Sequence, residues 1–111
     1  MSRRSSKPAA KPKDTRRISQ MRNLGPAVER DLNAVGIVTA QQVIDLGPEG
    51  AFLKMLEGKA QKGSAAKAVH AAWLYALYAA IHDLDWRDVP EKVKTEFKQL
   101  TAEIRESGYY R

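Results

Sequence analysis

Cysteine is absent from the 111 residues, and histidine occurs only twice, at His70 and His82. Without cysteine there are no disulfides and no thiolate–metal sites, and the absence fits a reducing, cytoplasmic setting. The two histidines fall on one predicted helix, about 18 Å apart along its axis, so they cannot share a metal. The run His82, Asp83, Asp85, Asp88 has hard-cation donor types, but we read it as a solvated helix end. Ser19, Ser64 and Ser107 have no histidine and acid partners, and neither a phosphate loop nor a dinucleotide fingerprint occurs. Nothing here suggests catalysis, a cofactor, a metal or a small-molecule substrate. The most apolar run, Ala65 to Ile81, carries Lys67, His70 and two tyrosines. It is too short and too polar to span a membrane. Arg3 and Arg4 have no apolar segment behind them, so they do not open an export signal.

Charge is present, and its location matters. The formal net charge is +6. Residues 1–17 carry Arg3, Arg4, Lys7, Lys11, Lys13, Arg16 and Arg17 against Asp14 alone, so the remainder is close to neutral. Residues 1–13 have no large apolar side chain after Met1 and are rich in Ser, Pro, Lys and Arg. Such a segment cannot bury enough surface to offset its ordering entropy, so it is expected to be a disordered basic tail. It reads either as a solubilising leader or as an electrostatic arm for nucleic acid or an acidic partner.

From residue 14 to 111 the pattern predicts one all-α domain of about six helices. Ile18, Met21 and Leu24 have helical spacing over 15–23. Pro26 suits the first turn of a second helix over 26–34, closed by Gly36. Thr39 with Gln42 three residues on makes a capping box for a third helix over 40–46. A fourth follows to about Glu57, and Gly58 to Ser64 reads as a flexible loop. A long fifth helix is predicted from Ser64 to Asp83, apolar most of the way round and therefore central. Its stripe runs through Val69, Trp73, Ala76, Leu77, Ala80 and Leu84, widened by Leu74 and Ile81, with Tyr75, Tyr78, Ala79 and His82 opposite. The last helix opens at Asp88 and carries Val93, Phe97, Leu100 and Ile104 on one face until Gly108. Trp73 and Trp86 read as packing residues, and Tyr109 and Tyr110 as exposed or folded back.

Leu-Gly-Pro occurs twice, at 24–26 and 46–48, each time between short amphipathic segments. Two packed helical hairpins, a double helix-hairpin-helix, would give this repeat. The second helix of such a hairpin begins with free N–H groups at the positive end of its dipole, which suits an anion. In the first hairpin these belong to Gly25, Ala27 and Val28, with Arg22 nearby. In the second they belong to Gly47, Glu49 and Gly50. The alternative is that Gly-Pro is simply a good turn into a helix. Ala27 stands where a second glycine would let a phosphate approach, and Glu49 puts a negative charge at the second site. The first hairpin is therefore the better candidate.

The segments MRNLGPAVERDLNAVGIVTAQQVIDLGPEGAFLKM at 21–55 and LYALYAAIHDLDWRDVP at 74–90 cover about half the chain. In them the sequence resembles the C-terminal domain of the TfoX-type competence regulators. The resemblance implies a helix-hairpin-helix-type domain, which in that family usually follows a separate α/β domain in bacterial regulators of DNA uptake and competence genes. Here a basic tail stands in that place. No catalytic residue carries over. The expected function is a non-catalytic regulatory module touching the DNA or RNA backbone without reading sequence. Arg16, Arg17, Arg22, Gly25, Ala27 and Val28 are its candidate contacts. The alternative is a protein–protein adaptor or self-association domain, using a face made by Tyr75, Tyr78 and His82.

Overall fold

The structure, a computed structural model, describes residues 14–110. The expectation of a disordered tail at 1–13 lies outside the described residues. Among those described, the chain is all-helical: α1 (Pro26–Asn33), α2 (Ala40–Gln61), α3 (Ala65–Ala68), α4 (Ala71–His82) and α5 (Glu91–Ser107), with 3-10 turns at Ile18–Gln20 and Trp86–Asp88. The core lies where α2 packs on α4. Ile18, Leu32, Val43, Phe52, Leu56 and Leu74 are there, each with 0% of its surface exposed. Each contributes about 1.5–3 kcal/mol through removal from water.

The first departure from expectation is at 15–23, which is not a helix. Residues 14–17 are extended and lie across the start of α2, with Arg17 bridged to Thr39. Ala40 N–H donates to the Arg16 carbonyl at 2.9 Å, and Gln41 N–H to that of Asp14 at 3.0 Å. Those donors have no partner inside α2. The strap supplies one, and a short isolated helix has little intrinsic stability to set against that gain. The predicted capping box is present: Gln42 N–H donates to Thr39 Oγ1 at 3.3 Å, and Gln42 Oε1 accepts from Thr39 N–H at 3.0 Å. Gly36, at φ 86°, closes α1. Ile37 N–H reaches back to the Leu32 carbonyl and Gly36 N–H to that of Asn33, each at 3.0 Å.

The two Leu-Gly-Pro turns differ. Gly25 has φ −121° and ψ −172°, ordinary extended backbone leading into α1. Gly47 has φ 75° and kinks α2, whose two limbs otherwise run on to Gln61. The third and fourth predicted helices are these limbs. Residues 58–61, expected in a loop, belong to the second limb. Gly58 is there for packing rather than flexibility, since a Cβ on it would lie 2.6 Å from Val35 Cγ1.

The predicted fifth helix is broken. Val69 has φ −81° and ψ 78°, and His70 is extended, so α3 and α4 are separate. Arg105 Nη1 donates to the Val69 carbonyl at 2.6 Å, using an acceptor that an unbroken helix would have occupied. The buried side of α4 centres on Leu74 and Leu77, and Ala79 is fully buried too. Leu77 and Ala80 of the predicted stripe and Leu74 at its edge are buried, while Trp73 and Ala76, expected at its middle, are only partly buried, and Ala79 was expected on the opposite side. Asp88 does not cap the last helix. It ends the 3-10 turn, and α5 begins at Glu91 after Pro90.

Candidate nucleic-acid interface

Among the described residues no α-helix precedes α1, so a first helical hairpin is not formed as expected, and the Leu24-Gly25-Pro26 turn is instead held to the body by Asn23. Its backbone is left-handed, φ 73°. Its Nδ2 donates to the Leu84 carbonyl at 2.6 Å, while its Oδ1 accepts from Trp86 N–H at 3.2 Å. One side chain thus clamps the connection leaving α4. The neighbouring Arg22 is exposed, and its Nη1 donates a long 3.4 Å bond to the Asp83 carbonyl. Asp83 closes α4 in a left-handed conformation. A cation is favoured at that negative end of the helix dipole.

The basic pair expected to touch phosphate is already engaged within the fold. Arg16 grips Asp14 with two parallel bonds, Nε to Oδ1 at 3.0 Å and Nη2 to Oδ2 at 2.8 Å. This holds the Asp14 carboxyl below its usual range. Arg17 Nη2 donates to Glu29 Oε1 at 2.9 Å. The other Glu29 oxygen accepts from both the backbone N–H and the hydroxyl of Ser19, each at 3.0 Å. The Ser19 N–H first, and then Arg17, keep Glu29 ionised to lower pH than an ordinary glutamate. Both arginines nevertheless keep much of their surface in solvent, with side chains 50% and 74% exposed. Their carboxylate partners are far less exposed, Asp14 at 24% and Glu29 at 10%, so a phosphate that took Arg17 would leave the buried Glu29 carboxylate without its cation.

At the start of α1, no side chain caps the helix. Among the described residues, the N–H groups of Ala27 and Val28 donate to nothing. Ala27 is exposed and Gly25 half-buried beside them, while the Val28 side chain is buried and only its N–H can take part. A Cβ on Gly25 would meet nothing within 4 Å. Neither conformation nor packing within the chain therefore requires glycine there, whereas the backbone does require it at Gly47. At the second turn the flanking Glu49 is exposed.

Tyr75, Tyr78 and His82 stand together on α4, but both tyrosines lie against α5. Their rings are 6.3 and 6.1 Å from that of Phe97. His82 is exposed and stacks on Tyr78 at 4.3 Å. Trp86, expected to pack, is 52% exposed. It borders an apolar groove of about 360 Å³ with Ala72, Tyr75 and Ala76. The Tyr75 hydroxyl and the Trp73 indole N–H are buried without a hydrogen-bond partner among the described residues. Tyr109 is exposed, and Tyr110 folds back on the core.

The acidic run after His82 is used locally. Asp85 accepts from Arg87 N–H at 2.9 Å and pairs with its guanidinium at 3.0 Å. Among the described residues no three histidine, aspartate or glutamate side chains gather as a metal site, and no helix is long and apolar enough to cross a membrane.

Sequence reasoning missed Asn23 and Glu29. Glu29 carries a weak signal as an acid early in a helix. Its partner Ser19 lies in the 3-10 turn before α1, where no periodicity links the two. Asn23 sits before a Leu-Gly-Pro turn, where a left-handed asparagine is unremarkable, and its partners come from beyond α4.

Comparison with known proteins bears on family more than on activity. Among curated proteins, none matches this chain. A solved structure of an uncharacterized protein from Listeria monocytogenes is similar, with 29% identity and a TM-score of 0.70 over 80% of this chain and 93% of that one. The TfoX C-terminal domain family matches residues 14–101. That match takes in the strap, both Leu-Gly-Pro turns and most of α5, so the chain belongs to the TfoX C-terminal domain family.

Proposed function

We propose that this domain is a non-catalytic regulatory module that docks on the nucleic-acid backbone, with the start of α1 as its fixed contact and the basic residues before it as its electrostatic arm. The observation that carries the reading is Gly25. Among the described residues nothing needs a glycine there, yet it stands beside the two N–H groups of α1 that find no partner among them. A backbone without side chains is what lets a phosphate oxygen come within hydrogen-bond reach of a helix N-terminus. Arg17 and Arg22, both exposed, precede the turn in sequence. None of these groups reads a base edge, so such binding is independent of sequence.

The test is affinity for duplex DNA and for RNA against salt. Removing residues 1–13 lowers the slope of log affinity against log salt by up to about 0.9 for each phosphate the segment had neutralised. Arg22→Glu and Gly25→Ala each weaken the remaining binding. Lys98→Glu, an equal charge change on α5, weakens it less. Equal losses from Arg22→Glu and Lys98→Glu would reduce the effect to general electrostatics. No binding at low salt would refute the reading.

A second reading, a protein–protein adaptor, is favoured by the exposed Trp86 and by the unpaired Tyr75 hydroxyl at its groove. A partner supplying an acceptor there would satisfy a buried donor that otherwise costs the fold stability. Loss of partner capture on Trp86→Ala, with nucleic-acid binding intact, would support it.

A further inference from the structure

The kink at Gly47 opens a second cleft, separate from the Trp86 groove, with a volume of about 290 Å³. Its floor is apolar: Leu46 and Pro48 from the kink, Tyr78 from α4 and Val93 from α5. Two carboxylates, Glu49 and Glu96, border it. Both are exposed, and among the described residues neither makes an ion pair. Lys92, one turn before Glu96, is not paired with it either. Leu46 is 38% exposed, a large apolar side chain left in contact with water.

We infer that this cleft is the docking site for the chain's own basic N-terminal segment, residues 1–13. Position comes first. Asp14 is fastened to Gln41 by two hydrogen bonds of 3.0 Å, Asp14 N–H to Gln41 Oε1 and Gln41 N–H to the Asp14 carbonyl. The segment therefore leaves the fold at the first turn of α2. Gln41 and Leu46 are five residues apart on that limb, roughly 8 Å along the helix. Thirteen residues can span up to roughly 40 Å, so the cleft is well within reach. Asp45 lies between, exposed, and lines a shallow depression together with Asp14.

Chemistry comes second. Residues 1–13 carry Arg3, Arg4, Lys7, Lys11 and Lys13 and no acid. The cleft offers Glu49 and Glu96 with no cation bound to them. The stretch Lys7-Pro8-Ala9-Ala10-Lys11-Pro12-Lys13 intersperses basic residues with proline and alanine. Proline-containing segments dock in grooves lined by aromatic and apolar side chains, because little chain entropy remains to be lost. Tyr78 and Pro48 provide such a floor, and the flanking carboxylates pair with the lysines. The same five cations are the arm invoked for nucleic acid. The cleft and the phosphate backbone therefore compete for one segment, and the domain shields its own arm until nucleic acid displaces it. This goes beyond the phosphate-contact reading, and the docking itself does not depend on it.

The absence of cysteine gives a clean experiment on the full chain with no nucleic acid present. Ser6→Cys carries the only thiol and leaves every tail charge in place, and a nitroxide is attached there. We expect the amide signals of Val93 and Glu96 on α5 to be lost to paramagnetic broadening, while Lys62 at the far end of α2 is spared. Glu49→Lys with Glu96→Lys, both at exposed positions, restores those signals, with far-ultraviolet circular dichroism to show that the fold is kept. So does about 1 M salt, where charges are screened within roughly 3 Å. Broadening confined to residues near Asp14, or broadening at α5 that survives the double charge reversal, would overturn the inference. A mixture of spin-labelled chain at natural isotope abundance with isotope-labelled chain lacking the nitroxide supplies the last outcome. Broadening of Val93 and Glu96 in that mixture would mean that a second copy's tail fills the cleft, and would overturn the intramolecular assignment.

Discussion

Truncating Phe97 to alanine asks whether α5 belongs to the cooperative core. Phe97 is 4% exposed, and of the apolar side chains of α5 it alone is buried. Val93, Leu100 and Ile104 are only partly so. Its ring meets Tyr75 and Tyr78 at 6.3 and 6.1 Å, the second nearly edge-on at 70°. Losing a buried phenylalanine side chain costs about 3–5 kcal/mol, the spread reflecting how well the site collapses. Here the void would join the cleft beside Val93, so water can enter and less of the cavity term survives. We place the loss near the lower end, about 3 kcal/mol. For a domain of this size that corresponds to a fall in melting temperature of about 12–24 °C. Urea titration followed by far-ultraviolet circular dichroism measures it, as a lower midpoint at an unchanged m-value. A loss under about 1 kcal/mol would refute the reasoning, because only a surface or partly solvated ring behaves that way.

Three further predictions separate the roles of individual residues. Gly47→Ala puts a Cβ on a backbone held at φ 75° and costs about 1–2 kcal/mol, and Gly58→Ala drives a Cβ to within 2.6 Å of Val35 Cγ1, costing about 1–3 kcal/mol of overpacking; thermal melts that leave either variant at the parent stability would contradict the assigned geometry. The Glu29 carboxyl titrates below its ordinary value of 4.5 in the folded state, so its stabilisation is present above that value and is lost as pH falls below it; Glu29→Gln therefore flattens the acid limb of the stability–pH curve, and an unchanged limb would show that Ser19 and Arg17 do not hold the charge.

The elements legible in the sequence were those written in local terms. Thr39 and Gln42 marked the start of α2, Gly36 the end of α1 and Gly108 the end of α5, because caps are fixed by residues three or four apart. The elements that were misread depend on distant partners. Residues 15–23 have helical spacing, yet the unpaired donors of α2 hold residues 14–17 in an extended strap, and of the rest only Ile18–Gln20 form a 3-10 turn. Val69 has good helical neighbours, yet Arg105, contributed by the last helix, holds its carbonyl and separates α3 from α4. Gly58 looks like a loop residue when its neighbours are Lys, Ala and Gln, and only the approach of Val35 reveals it as a packing residue. The candidate site divides along the same line. The open N–H groups at Ala27 and Val28 follow from Gly-Pro alone, while the capture of Arg16 by Asp14 and of Arg17 by Glu29 needed the fold.

That capture changes how the charges of this domain have to be weighed. Read along the chain, seven basic residues up to Arg17 form one block. In the fold the block is split. Arg16 and Arg17 already have carboxylates, so a phosphate approaching either exchanges one anion for another and releases little net charge. The five cations before Asp14 are the ones whose neutralisation by phosphate releases counterions from nucleic acid. On duplex DNA they set a ceiling of about 4.5 on the part of the salt slope that the arm can supply. If the cleft beside Gly47 holds the same cations in the free protein, part of their attraction is spent on Glu49 and Glu96 before nucleic acid arrives. The measured affinity then reports a difference between two acidic surfaces rather than the full pull of the arm. The start of α1 would stand outside that competition, because among the described residues its Ala27 and Val28 N–H groups have no acceptor. On the proposed reading, a weak contact there would fix where the domain sits, while the arm would govern how readily it arrives.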